Sequence, residues 1–195
     1  MKLSRSWRSW PQPDEASPGS GAGRYPCVVA DRERAYQYVG PAYVLAAVQP
    51  LSLGRAILAP DDIASAGEPF TFVIDLEGTL RVAPRRSEHV ACAGGMPVLS
   101  AGEITFERRT DGWEVTSATN QSTGYCPEPT SWPAVGRALN RIGVPHPGRF
   151  TDEFTFRRCP QCRERNVVRD GEFTCAICDA DLPASWNFED DRREG

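Results

Sequence analysis

Cys159-Pro160-Gln161-Cys162 and Cys175-Ala176-Ile177-Cys178 are two Cys-x-x-Cys pairs with twelve residues between them. Each pair sets two thiolates on one side of a tight turn, and a short hairpin between the pairs brings all four into a tetrahedral set. The intervening residues offer such a hairpin, because Val167-Val168 and Phe173-Thr174 flank Asp170-Gly171, a dipeptide suited to a tight turn. Twelve is below the roughly 15–20 residues of one such spacing class, which points to a compact four-cysteine zinc ribbon. Zn2+ is therefore expected on Cys159, Cys162, Cys175 and Cys178. Its expected role is structural, since four thiolates close the coordination sphere and leave no position for a substrate. Two disulfides would need an oxidising compartment, and a redox Cys-x-x-Cys needs one pair only.

Upstream of the ribbon, Phe150, Phe154 and Phe156 suggest a strand leading straight into the first cysteine pair, after a break at Pro145 and Pro147. Before that break, Trp132, Val135, Leu139 and Ile142 recur at helical spacing, with Ser131 as N-cap, Pro133 in the first turn and Gly143 as the stop. The region 70–119 reads as strands. Phe70, Phe72 and Ile74 alternate towards a turn at Glu77-Gly78, and Leu80 and Val82 alternate on the way back. Ile104 and Phe106 lead into Asp111-Gly112, followed by Trp113 and Val115, a second hairpin. A third strand is expected over 88–92, ending at Gly94-Gly95. Pro41 could open a short helix, Pro60-Asp61-Asp62 another, and a short strand is expected near 55–58.

These elements predict an α+β fold: a mainly antiparallel sheet with one or a few packed helices over 25–150, then the ribbon over 151–188 and a charged tail over 189–195. Residues 1–24, rich in Ser, Gly and Pro with no apolar period, read as a disordered leader. The chain has 195 residues, 40% hydrophobic and 25% charged, a composition that suits a packed core and excludes collagen-like or coiled-coil chains. Its longest apolar run, 42–48, is far short of the ~20 residues of a spanning helix. Trp7, Trp10, Pro11 and Pro13 stand where a signal peptide needs an apolar stretch, so the expectation is a cytoplasmic protein without a membrane partner. With a net charge of -4, no global field draws the chain to phosphate backbones. All but one of its 22 basic residues are Arg, a skew that fits GC-rich coding.

Four of the seven cysteines go to the metal, leaving Cys27, Cys92 and Cys126. The remaining chemistry lies around 87–95 and 120–127, where Ser87, His89, Glu103, Asn120, Ser122 and Tyr125 are candidate ligand-binding residues. The alternative is that Gly94-Gly95 is a turn, Cys92 fills a core, and Asn120 and Ser122 fix a loop. Catalytic templates fit poorly. No protease signature surrounds Cys92 or Cys126, the deaminase pattern of His/Cys-x-Glu with Pro-Cys-x-x-Cys is missing, and His89, Cys92 and Cys126 lack a metal-ligand spacing.

The block from Phe72 through Tyr125 resembles a module of uncharacterised bacterial proteins that also ends some toxin-like proteins. The resemblance rests on Arg86-Ser87-Glu88-His89, Pro97-Val98-Leu99-Ser100-Ala101-Gly102-Glu103 and Asn120-Gln121-Ser122-Thr123-Gly124-Tyr125-Cys126-Pro127. The module closes on Asn-x-Ser-Gly-His-Tyr-x-Pro; Asn120, Ser122, Tyr125 and Pro127 match, but the module's second His falls on Gly124, and His89 is offset by about one residue. With Tyr38-Val39-Gly40-Pro41-Ala42 upstream and Leu182-Pro183-Ala184-Ser185-Trp186-Asn187-Phe188 downstream, the chain resembles hypothetical proteins of actinobacterial type that end in a four-cysteine ribbon. The resemblance brings no established activity.

Three functions follow as expectations. The first is a non-catalytic bacterial adaptor of a conflict or defence system, binding a ligand near His89, Asn120 and Tyr125 and docking a partner protein through the ribbon. The second is an enzyme using a His89/Glu103/Tyr125 pocket. The third is nucleic-acid binding through the ribbon; there five Arg are matched by five acids over 157–183, which favours a protein partner. Oligomeric state is left open.

Overall fold

The computed structural model describes residues 34–189, which belong to one compact unit. The expected leader, Cys27 and all of the tail but Glu189 lie outside the described residues. Five strands form one sheet: β1 (Arg55–Ile57), β2 (Pro69–Ile74), β3 (Leu80–Pro84), β4 (Ser100–Arg109) and β5 (Gly112–Ala118), in the order β1-β3-β2-β4-β5. Every neighbouring pair in it is antiparallel. The β2–β3 hairpin is held at its turn by Asp75, whose Oδ1 accepts the Thr79 N–H at 2.7 Å while Oδ2 accepts from Arg81 Nε at 2.9 Å. Gly78 takes the positive φ of 79° that this turn needs.

Alternation along the strands gives the sheet two apolar faces. On one, Phe72, Ile74, Leu80, Val82, Ile104 and Phe106 pack against α3 (Trp132–Ile142) through Val135, Ala138, Leu139 and Ile142. The spacing of those residues predicts this helix, and Gly143 ends it in the left-handed region with φ 72°. Ser131 does not cap with its side chain; its Oγ lies 3.0 Å from Ser100 Oγ under the helix. On the opposite face, Val73 and Ala101 pack against Tyr36, Val90, Cys92, Val98 and Tyr125.

The cover on this second face corrects one expectation. Residues 88–92 do not form a strand; α2 (His89–Cys92) is a single helical turn laid over the sheet. A short apolar run bounded by glycines carries no decisive period, and here both Gly94 and Gly95 adopt positive φ (61° and 80°), turning the chain back at the end of the turn. Ahead of it α1 (Ala42–Ala46) and a 3-10 turn at Pro50–Ser52 lead into β1, and Pro60–Asp62 is a 3-10 turn rather than a longer helix. The free edge of β5 is covered by the chain after α3, with Val115 N–H donated to Pro145 O at 2.8 Å and Thr151 N–H to Ala118 O at 2.7 Å.

Phe150 belongs to the helix-side core and not to the last strand, which is β6 (Thr155–Arg158). β6 pairs antiparallel with β7 (Arg165–Val168) across the first cysteine turn. Around Asp170-Gly171 the expected hairpin is reduced to a single bridge, Arg169 to Glu172, with both turn residues at positive φ (52° and 75°). Among the described residues, no helix is long and apolar enough to cross a membrane.

Candidate metal centre

Cys159, Cys162, Cys175 and Cys178 converge so that their Sγ atoms all lie within 4.8 Å of one another. The Cys159–Cys178 and Cys162–Cys175 sulfur pairs are each 3.6 Å apart. A regular tetrahedron with Zn–S bonds of about 2.3 Å has edges of about 3.8 Å, so the four thiols fit a tetrahedral ion of that size. The two turns repeat one geometry. Cys159 N–H is donated to Glu164 O and Arg163 N–H to Cys159 O; Cys175 N–H is donated to Ala180 O and Asp179 N–H to Cys175 O. In both, the residue after the second cysteine is left-handed, Arg163 with φ 65° and Asp179 with φ 59°. Neither is a glycine, so the sequence carries no mark of this bend.

Asn166, which sequence reasoning passed over, positions the second turn. Its Nδ2 donates to Cys175 Sγ at 3.5 Å and to Glu164 O at 3.0 Å, and its Oδ1 accepts the Ala176 N–H at 3.0 Å. The Ile177 N–H also points at Cys175 Sγ, at 3.4 Å. Burial, the largest single influence, raises the Cys175 thiol, but the Ile177 and Cys178 N–H groups and the thiols of Cys162 and Cys159 together outweigh it and draw its pKa below the ordinary cysteine value, towards the thiolate a metal needs. The one signal in the sequence was a polar side chain inside an otherwise strand-like stretch.

The ribbon is bound to the loop over 120–127 by polar contacts, most of them buried or partly buried. Asn120, fully buried, donates through Nδ2 to Pro127 O at 2.8 Å and Phe154 O at 2.7 Å, and accepts the Phe154 N–H at 2.7 Å. Trp186 Nε1 donates to Cys126 O at 2.7 Å, and Arg165 donates to Thr123 O. Buried Arg157 gathers the carbonyls of Phe156, Pro183 and Ala184, with Glu128 at 3.6 Å as its counter-ion. Gly124 is packed against the Tyr38 ring, which leaves no room for a side chain there without displacing the ring.

The other candidates divide between the interior and one surface groove. Tyr125 is buried, with its hydroxyl donated to Met96 O at 2.7 Å, and burial raises its pKa. Ser122 is buried, with no hydrogen-bond partner for its hydroxyl among the described residues. His89 Nε2 donates to Gly102 O at 3.0 Å; burial lowers its pKa, so the ring is neutral with its Nδ1 lone pair unprotonated. Gly102 itself is required, because a side chain there would collide with the Thr119 carbonyl. Glu103 pairs with Arg85 at 3.5 Å. His89, Glu103 and Tyr125 thus all lie on the second face, but none hydrogen-bonds another. Burial pushes the Cys92 and Cys126 thiols up to about 12, which makes them packing groups rather than nucleophiles. Ser87 lines an open cavity, an apolar groove of about 630 Å³ between the Pro50–Ser52 turn, β1, β3 and α2.

No protein-family model, no curated protein and no solved structure matches the chain.

Proposed function

We propose that the chain is a non-catalytic zinc-ribbon adaptor of the bacterial cytoplasm, in which a structural zinc on Cys159, Cys162, Cys175 and Cys178 folds a protein-docking appendage. The observation that carries this reading is the closed set of four convergent thiols beside a sheet domain whose His89, Asn120 and Tyr125 side chains are hydrogen-bonded to backbone carbonyls. Tetrahedral thiolate ligation selects zinc over the harder divalent ions. Two features favour a protein partner over nucleic acid. Of the ribbon's five Arg, Arg157 is turned inward onto carbonyls and Arg165 is engaged with Thr123 O. Ile177, between the last two cysteines, is 69% exposed at the tip of the second turn, an apolar contact point with no packing role of its own. The resemblance of the central block to modules at the ends of toxin-like proteins supports a place in a conflict or defence system.

Elemental analysis of the purified chain should return one zinc, lost in Cys175→Ser. Affinity capture from the native host should recover a defined partner with the wild type and lose it with Ile177→Asp. Turnover of a substrate by the isolated chain, or a nucleic-acid mobility shift that weakens steeply with salt, overturns the reading.

A further inference from the structure

Among the described residues eight large apolar side chains are exposed, and four of them, Leu45, Leu51, Leu53 and Met96, gather around the end of α2 and the two cavities beside it. α1 buries none of its residues. Leu45 and Leu53 lie over Gly95 and Gly94 at the end of α2, and a second cavity of about 440 Å³ opens between Val48, Leu53, Ala93 and Met96. An apolar surface of this extent marks an interaction site.

We propose that this face is the contact between two copies of the chain, related by a two-fold axis. An isologous contact needs a patch that complements itself, and this one holds both halves of a fit. Leu51 stands 99% exposed as a knob, and the groove of about 630 Å³ beside it is floored by Leu53, Ala64, Phe70 and Ala91. Across a two-fold, Leu51 of each copy enters the groove of the other. The charges on the groove obey the same symmetry. Arg55 and Glu88 both line it, both are exposed, and neither forms an ion pair among the described residues. Asp62, the carboxylate within electrostatic reach of Arg55, is already held by the Leu58 and Ala59 N–H groups. The two-fold therefore sets Arg55 against Glu88 of the partner subunit twice. A membrane surface would call for a rim of basic residues, and a strongly charged ligand for a rim of one sign; one base and one acid suit a self-pairing face.

The test is sedimentation velocity of the zinc-loaded full chain over a concentration series. The wild type should dimerise, and Leu51→Glu should be monomeric with an unchanged circular dichroism spectrum, since that side chain is 99% exposed. Arg55→Glu should weaken the dimer on the order of tenfold, and adding Glu88→Arg to it should restore the wild-type constant. A wild type that stays monomeric at every concentration overturns the proposal, including one whose face instead binds anionic vesicles or a foreign apolar peptide. So does a dimer that survives Leu51→Glu, or a double variant no tighter than Arg55→Glu alone. None of these outcomes depends on the adaptor reading of the ribbon.

Discussion

The five-stranded sheet and the ribbon lie next to each other in one chain, and they are ordered by different forces. The sheet has side chains from five strands and α3 interleaved in one apolar cluster, with a second cluster on its other face. The ribbon's own cluster is Cys159, Cys175, Ala180 and Leu182, with Cys162, Val168 and Phe173 half-buried around it. So few apolar groups offset little of the conformational entropy of the ribbon and its turns, and a metal held by the four thiols would supply ordering free energy there. Between the two lies a third kind of cohesion, the polar seam of Asn120, Arg157 and Trp186 described above, with Phe156, Phe188 and Cys126 buried beneath it.

If this division of forces is right, the largest effect should come from the metal. Chelation or Cys175→Ser should unfold the ribbon while the sheet keeps its cooperative transition. Hydrogen exchange should then show protection lost over β6 and β7 and retained in β2 and β4; protection retained in both would erase the distinction. Next in size is the core. Leu139→Ala, which empties a buried site between α3 and the sheet, should cost about 3–5 kcal/mol in denaturant unfolding and leave the zinc content at one per chain. Asn120→Ala probes the seam: it leaves three backbone groups of Pro127 and Phe154 without their partner, and should cost about 3 kcal/mol while lowering zinc retention. A loss confined to the sheet transition would show that the seam does not couple the two regions.

A smaller effect is expected from pH. The folded state holds His89 below its ordinary pKa of 6.5, so the unfolded chain takes up the proton first as pH falls. Stability from this group is therefore fully present above about 6.5 and declines below it, by at most about 1.4 kcal/mol per pH unit until the folded pKa is reached. His89→Gln, which can still donate to Gly102 O, should flatten that decline in unfolding curves taken between pH 5 and about 7. The smallest effect belongs to Glu114→Gln on the outer β4–β5 hairpin. Its pair with Arg109 is doubly hydrogen-bonded, at 2.6 and 3.0 Å, but exposed, and the unfolding midpoint should not move.

The parts of this molecule that could be read from the sequence are those whose order is local or periodic. The two hairpins showed through alternation and their Gly-bearing turns, α3 through its spacing and Gly143, and the four converging thiols through the Cys-x-x-Cys repeat. The parts that could not be read were decided by neighbours. His89, Val90, Ala91 and Cys92 suit a strand or a helix equally, and the turn they form follows from the sheet face that needs covering. Ser131 looked like a cap and became a partner of Ser100. Asn120, Ser122 and Tyr125 looked like a ligand loop because polar residues after a strand look alike in sequence whether they face solvent or the interior. Ser87, by contrast, lines an open groove.

By itself, then, the sequence determined the antiparallel α+β class and the four thiols, because hydrophobic period and ligand spacing are properties of neighbouring residues along the chain. Only the tertiary structure decided which polar side chains are free to act. Hydrogen bonds such as those of Asn120 to Phe154 and Tyr125 to Met96 join residues about thirty positions apart, and burial depends on what the rest of the chain lays on top. The same holds for the exposed face around Leu51: its apolar residues are plain in the sequence, but that nothing in the described fold covers them is a fact of packing alone.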